Sequence, residues 1–242
     1  MNYLHRTIEH NTKAASSIVP LLIKMFNIDS VIDVGCGLGT WLKIFSELGI
    51  EDYLGVDGDY INLHLLQIPQ TKLLITDLEK DLNIKRKFSL VLCLEVAEHL
   101  SKTRAASFIK DLTKLGDRIV FSGAIPSQGG QNHINEQYPD YWISYFRTES
   151  FQVQDSIRPL IWNNNEIDWW YRQNIIVFEK KTNAYSNNCV NPLITKELYV
   201  NKLNEIEKLT LDIQKIEKGS MRFKYYLNGF FNRLKTRYLK LL

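Results

Sequence analysis

Four residues carry groups that could do chemistry on a small molecule. Glu95, Glu98 and His99 lie in the run Glu95-Val96-Ala97-Glu98-His99, and His133 closes Gly129-Gly130-Gln131-Asn132-His133. On a helix, positions i, i+3 and i+4 share a face, so the first three would project together. Two carboxylates and two imidazoles support two chemistries. An imidazole such as His99, oriented by Glu95 or Glu98, is a general base near neutral pH. Alternatively, all four hold a divalent cation, Mg²⁺, Mn²⁺ or Zn²⁺ according to geometry, which lowers the pKa of a bound hydroxyl. A third reading gives them no chemistry: acidic side chains at a helix N-terminus offset its dipole, and His99 is packed or solvent-facing.

Such groups need elements that carry them to a ligand. Phe88-Ser89-Leu90-Val91-Leu92-Cys93-Leu94 reads as a strand ending at Glu95. Upstream, Val31-Ile32-Asp33-Val34-Gly35-Cys36-Gly37-Leu38-Gly39-Thr40 reads as a strand, a glycine turn and a helix start. The glycines permit positive φ and close approach of a ligand, and the helix N-terminus offers free N–H groups. Two phosphate-binding readings fit poorly. A P-loop needs a Lys that is missing here, and the spacing is Gly-x-Gly-x-Gly where a dinucleotide fingerprint is Gly-x-Gly-x-x-Gly. A second strand, Tyr53–Asp57, ends in a carboxylate about 20 residues on, the usual place for a ribose-hydroxyl acceptor. A third, Lys72–Ile75, ends near Asp77-Leu78.

The Asp33-Val34-Gly35-Cys36-Gly37-Leu38-Gly39 turn, the Asp57 strand end and the Glu95-Val96-x-Glu98-His99 segment occur in the order found in the class I S-adenosylmethionine-dependent methyltransferases. Over residues 12–180 the chain resembles their ubiquinone-type O-methyltransferase group. The resemblance implies a Rossmann-like α/β fold, a largely parallel seven-stranded sheet with helices on both faces. It also implies S-adenosylmethionine as cofactor, bound by Asp33, Gly35, Gly37, Gly39, Asp57, Asp77, Leu78 and Leu94. Glu95, Glu98, His99 and His133 are then the catalytic candidates. Small-RNA 3′-end 2′-O-methyltransferases use a similar Glu-x-x-Glu-His with a later His as a metal site, which here maps to those same four residues. Their RNA-binding extension is missing from this sequence. The run His133–Trp142 is similar to methyltransferases found with bacterial surface-glycan biosynthesis.

Strand and helix patterns alternate through residue 180, as in a parallel α/β sheet. Helices are predicted at Thr12–Phe26 (interrupted by Pro20), Thr40–Leu48, Tyr60–Leu66, Thr103–Leu115 and Pro139–Phe146. The fifth strand is Arg118–Ser122, and the last two, Phe151–Arg158 and Asn174–Glu179, form the antiparallel pair the resemblance implies. The Gly123–Gln137 loop, with paired glycines, is expected to be mobile and to close over substrate. Residues 1–180 form the methyltransferase domain, 181–194 a linker rich in Asn, Ser and Thr, and 195–242 a helical tail. In that tail Ile206, Leu209, Ile213 and Ile216 follow a 3-4-3 spacing, too short a run to establish a coiled coil. Every charge after Gly219 is positive: Arg222, Lys224, Arg233, Lys235, Arg237 and Lys240. This basic amphipathic end suits an anionic membrane surface, a second copy of the chain or the domain itself.

With 45% hydrophobic residues the chain supports a full core, and no stretch is apolar enough to span a membrane. Cys36, Cys93 and Cys189 form neither a disulfide framework nor a zinc spacing. The expected location is cytoplasmic, peripheral to the inner membrane face if the tail docks there. Net charge is +3, and since the last 24 residues carry six cations, residues 1–218 are net −3. That disfavours nucleic acid, because phosphate contacts demand basic residues. Aromatics crowd the second half; Trp162, Trp169 and Trp170 flank Asn, Asp and Arg in loop-like sequence, as a polyhydroxylated acceptor would need. The expected activity is O-methylation of a sugar or surface-glycan precursor. The alternatives are RNA 2′-O-methylation and a non-catalytic cofactor-binding scaffold tethered by its tail.

Overall fold

The computed structural model describes residues 11–181 and 190–218. These divide into two compact units, one ending at Thr195 and the other starting at Lys196.

The first unit is built on a seven-stranded sheet of order β3-β2-β1-β4-β5-β7-β6. Its strands are β1 Ser30–Val34, β2 Asp52–Asp57, β3 Leu73–Ile75, β4 Leu90–Leu94, β5 Arg118–Ser122, β6 Phe151–Gln154 and β7 Ile176–Lys180. The first five are mutually parallel, while β7 pairs antiparallel with both β5 and β6. Side chains alternate across each strand, so the central strands feed two cores. Ile32, Val34, Val91, Cys93 and Phe121 face α3 (Ala105–Leu115) and α4 (Pro139–Thr148). Val31, Leu90, Leu92 and Val120 face α1 (Lys13–Met25) and α2 (Thr40–Glu47). Both strands flanking the β1–β4 step are buried throughout, as expected of a sheet covered on both sides. Strand order reverses between β1 and β4, and ligands bind outside the carboxyl ends at such a point.

The structure departs from the sequence reading at several elements. α1 runs unbroken through Pro20; the missing N–H frees the carbonyl of Ser16, and both residues are exposed, so that carbonyl is open to solvent. Tyr60–Leu66 is only a 3₁₀ turn at Leu63–Leu65. β6 stops at Gln154, and two short helices follow, α5 (Arg158–Ile161) and α6 (Trp169–Asn174). The sequence around Trp162, Trp169 and Trp170 reads as loop-like. Cys36 and Cys93 are buried free thiols, as small apolar residues would be.

The region read as a linker is part of the domain where it is described. Val190 is buried in the α3/α4 core. The Asn191 carbonyl accepts Nη1 and Nη2 of the buried Arg158, each at 3.2 Å. The buried Thr195 donates its N–H to Gln173 Oε1 at 2.9 Å. Packing therefore moves the domain boundary from Lys180 to Thr195. A chain ending at Thr195 is expected to melt as the full-length domain does. One ending at Lys180 loses the Val190 burial and leaves Arg158 and Gln173 short of partners, about 3 kcal/mol in all. Calorimetry should show that as a melting point lower by about 6–12 °C; equal melting points would show that the strap contributes nothing.

In the second unit Lys196–Glu217 is one helix, α7, which carries the 3-4-3 apolar spacing. No helix among the described residues is long and apolar enough to cross a membrane. The basic amphipathic end, residues 219–242, and Cys189 lie outside the described residues.

Candidate active site

The glycine turn after β1 is held by the end of β2. Gly35 and Cys36 both donate their N–H to the Val56 carbonyl, at 2.7 and 3.2 Å. The Asp57 carboxylate then accepts Gly37 N–H on one oxygen and Gly58 N–H on the other, each at 2.7 Å. Gly35 has φ +83°, and a Cβ there would stand 2.2 Å from Val96 Cγ2; Gly37 has φ +53°. Gly39 serves the turn differently. It caps α2 with φ +76°, and a Cβ would meet Ile68 at 2.8 Å, so it shapes the turn without lining the cavity in front of it.

That cavity, about 810 Å³, lies across the carboxyl ends of the strands from β3 to β4. Asp33, Gly35, Gly37, Asp57, Asp77, Leu78 and Leu94 all line it, which brings together every predicted cofactor residue except Gly39. Asp33 is buried, and its Oδ2 has no hydrogen-bond partner among the described residues. Burial, and then the charge of Asp57, push its pKa up to about 8. A buried carboxylate facing a cavity without a donor fits a cationic ligand group. Tyr60 also lines the cavity; burial and the nearby Asp57 raise its phenol pKa. Nothing in its sequence context marked it.

Three of the four chemistry-bearing residues converge, but not through a helix. Glu95 sits at φ +54°, a left-handed conformation uncommon for a side-chain-bearing residue and often found where function demands it. Its N–H is taken by Ser122 on β5, by the carbonyl at 3.1 Å and by Oγ at 3.0 Å. The chain therefore turns sharply, and only a 3₁₀ turn, Ala97–His99, forms before α3. The one-face argument thus fails for Glu95. Its carboxylate is held instead by Asn174 Nδ2 and Gln128 Nε2, both at 3.1 Å. Burial raises the Glu95 pKa, opposed by these donors.

Glu98, His99 and His133 do come together, with one ligand atom from each lying within 4.8 Å of the others. The two imidazoles meet edge to face at 4.8 Å. Glu98 is fully buried, and neither carboxylate oxygen has a well-formed hydrogen bond among the described residues, although the Glu98 and Ala124 backbone N–H groups are nearby. Burial, and then the charge of Glu95, push its pKa well above the usual carboxylate range. Such a group calls for a proton or a cation. One carboxylate with two imidazoles fits a transition-metal ion with open positions, and the nitrogen donors favour Mn²⁺ or Zn²⁺ over the oxygen-seeking Mg²⁺. The three residues thus fit a metal, with Glu95 standing outside the set.

A carboxylate does hold an imidazole here, and it is Glu136 on His133, with Nδ1···Oε1 at 2.9 Å. Glu136 also accepts the N–H groups of Ser127 and Gly129, at 2.7 and 2.8 Å. Ile134 and Asn135 donate their N–H groups to the Glu98 carbonyl, at 2.9 and 3.0 Å. The Gly123–Gln137 loop, expected to be a mobile cover, is therefore tied to the turn that carries Glu98. Gly130 leaves the space the His133 ring fills, since a Cβ would stand 2.1 Å from Nε2. Sequence reasoning missed Glu136, although its offset of three from His133 was a usable signal.

Trp169 and Trp170 line the cavity beside Asp168 and Gln131, whereas Trp162 does not. Trp41 lines it too and meets Tyr171 edge to face at 5.3 Å. Trp142 is core.

The family described as methyltransferase domain matches residues 4–170 of the chain. No curated protein matches the sequence. Among solved structures, the chain is similar to magnesium protoporphyrin IX methyltransferase from Synechocystis PCC 6803 with bound SAH. The TM-score is 0.51 at 16% identity, over 75% of this chain and 90% of that one. It is also similar to DesVI of Streptomyces venezuelae, with TM-score 0.54 at 14% identity over 70% and 92% of the two chains. The methyltransferase domain of bacterial CtHen1 gives 0.51 at 20% identity over 69% and 98%. At these identities the likeness is one of fold.

Proposed function

This chain belongs to the methyltransferase domain family, and from that premise we propose that it transfers the methyl group of S-adenosylmethionine to a hydroxyl of a sugar or surface-glycan precursor. Its cofactor is S-adenosylmethionine, for which the residues fit. Asp33 can pair with the ammonium of the amino-acid end, Asp57 at the end of β2 is placed to accept from ribose hydroxyls, and Asp77 with Leu78 faces the base. The bound cofactor supplies an already activated methyl on a sulfonium.

What remains for the protein is to place the acceptor oxygen in line and remove its proton. His133 is oriented by Glu136 on Nδ1, which leaves Nε2 to take that proton. In the metal version Glu98, His99 and His133 would hold a divalent cation, which lowers the pKa of the acceptor hydroxyl. The protein groups are the same in both; what differs is whether His133 receives the proton or ligates.

The observation that carries the acceptor assignment is the make-up of the cavity beyond the glycine turn. Trp169 and Trp170 offer ring faces, while Asp168, Gln128 and Gln131 offer hydroxyl partners. Carboxylates are the prevailing charged groups of the lining, and Lys80 is its one lysine among the described residues. A phosphodiester acceptor would meet repulsion there, whereas a neutral glycoside would not. The RNA reading keeps one argument, the fold likeness to CtHen1 together with the Glu98–His99–His133 set.

The test supplies methyl-tritiated S-adenosylmethionine and two acceptor pools, bacterial surface oligosaccharides and small RNA duplexes. Label is expected in the glycan pool alone. Label confined to RNA would transfer the assignment to a 2′-hydroxyl. Label in neither pool, with S-adenosylhomocysteine still bound, would leave a cofactor-binding scaffold.

A further inference from the structure

Residues 77–82, between β3 and β4, wall the base end of the cavity with Asp77, Leu78, Glu79 and Lys80. The segment has neither helix nor strand, so its backbone groups need partners from elsewhere. A single side chain supplies two of them, both for carbonyls. Arg104, 5% exposed and just before α3, donates Nε to the Leu78 carbonyl at 3.0 Å and Nη2 to the Lys80 carbonyl at 2.7 Å. Nη2 also reaches Asp111 Oδ2 at 2.7 Å, and Nη1 reaches Ser107 Oγ at 2.7 Å. Asp111, itself buried, accepts the Leu82 N–H at 3.1 Å. Ser101 adds a third tie, its N–H and hydroxyl donating to the Glu79 carboxylate at 2.6 and 2.8 Å.

This arrangement is more than packing requires. A buried Arg–Asp pair is weak as a stabiliser, because apolar residues of equal volume often serve as well. Apolar residues cannot grip two carbonyls at once in a fixed plane, as a guanidinium does. The grip has a definite consequence at Asp77. The Leu78–Glu79 peptide is fixed by its carbonyl on Arg104, and its N–H, that of Glu79, donates to Asp77 Oδ1 at 3.0 Å. Asp77 Oδ2, on a half-exposed side chain that lines the cavity, lies 3.6 Å from Lys80 Nζ. A carboxylate oxygen placed there accepts from an exocyclic amine and repels a carbonyl. Asp111 stays charged beside Arg104, because the bonds from Lys114 and Arg104 outweigh the burial that opposes its ionisation and lower its pKa.

Resting on the reading that this cavity takes S-adenosylmethionine, we propose that Arg104 and Asp111 are positioning residues that set the 77–82 wall to accept a 6-amino purine and refuse a 6-oxo purine. Neither residue touches the cofactor; both act through the backbone of Leu78, Lys80 and Leu82.

The test is calorimetry on the full chain with S-adenosylhomocysteine and S-inosylhomocysteine, alongside thermal melting. The wild type should prefer the adenosyl ligand at least tenfold. Arg104→Met should weaken the adenosyl ligand by about 10–100-fold, leave the inosyl ligand nearly unchanged, and so collapse the preference. Asp111→Asn should move the same way by a smaller factor. Arg104→Lys keeps the charge but reaches one carbonyl, and should fall between. A lower melting point in Arg104→Met with an intact preference would make Arg104 merely structural and overturn the proposal. If Arg104→Met fails to fold, Arg104→Lys decides, and an unchanged preference there overturns it. A wild type that binds both ligands equally also overturns it. A wild type that binds neither would overturn the cofactor reading itself, a separate result.

Discussion

Replacing His133 with Asn should slow methyl transfer by about 10²–10⁴-fold, the scale of a lost general base, while S-adenosylhomocysteine affinity changes by no more than about twofold. The ring meets His99 edge to face beside Glu98, and Glu136 fixes its orientation through Nδ1. Two manipulations then separate its two roles. If His133 is a free base, chelator leaves turnover unchanged, and Glu136→Gln, which keeps the shape but loses the charge, slows it by about tenfold. If Glu98, His99 and His133 hold a metal, chelator abolishes turnover without touching cofactor affinity, and Mn²⁺ restores it. Glu98→Gln should then weaken the metal with little loss of fold, because the substituted carboxylate has no well-formed hydrogen bond to lose. Full activity in both His133→Asn and His99→Asn, with no metal response, would leave this cluster as scaffolding.

What the sequence made legible, and what it hid, follows from the range of the forces involved. The glycine turn was readable because positive φ at Gly35 and Gly37 demands glycine locally. β1, β4 and β5 were readable because strands buried on both faces are continuous apolar runs. The Glu95 kink was not readable. It depends on Ser122, 27 residues away, and helical spacing at 95, 98 and 99 pointed to a helix that strand pairing forbids. Asn174, which holds Glu95 from 79 residues away, read only as the first residue of a strand, and it closes α6 instead. The strap at 190–195 was misread for a similar reason. Asn and Pro signal irregular backbone correctly, but irregular backbone can still be anchored by a buried arginine such as Arg158. Arg104 looked like one charge among many; its worth lies in carbonyls 24 and 26 residues upstream.

Affinity for S-adenosylhomocysteine should rise with pH by up to about tenfold per unit between pH 6 and 8, and level off above 8. The reason is Asp33. Its carboxyl is raised from the ordinary 3.8 to about 8, by burial first and by Asp57 second. Cys36, Cys93 and Tyr171, which interact with it electrostatically, have their pKa values raised by burial and stay neutral across this range. The sign follows from proton linkage. Folding takes up a proton at Asp33, so the ligand-free protein keeps that contribution below about pH 4 and loses it as pH rises towards 8. An ammonium ligand needs the ionised form, so binding expels the same proton, and each pH unit below 8 adds to the cost. Asp33→Asn removes both effects. It should bind more weakly at pH 8, show a flat pH profile, and melt higher than the wild type near neutral pH without ligand. A flat wild-type profile, or a slope that survives in Asp33→Asn, would remove Asp33 from the ammonium and leave its burial unexplained. A rise confined to the wild type would show that a destabilising carboxylate, placed where the strand order reverses, is held ready for the cation that neutralises it.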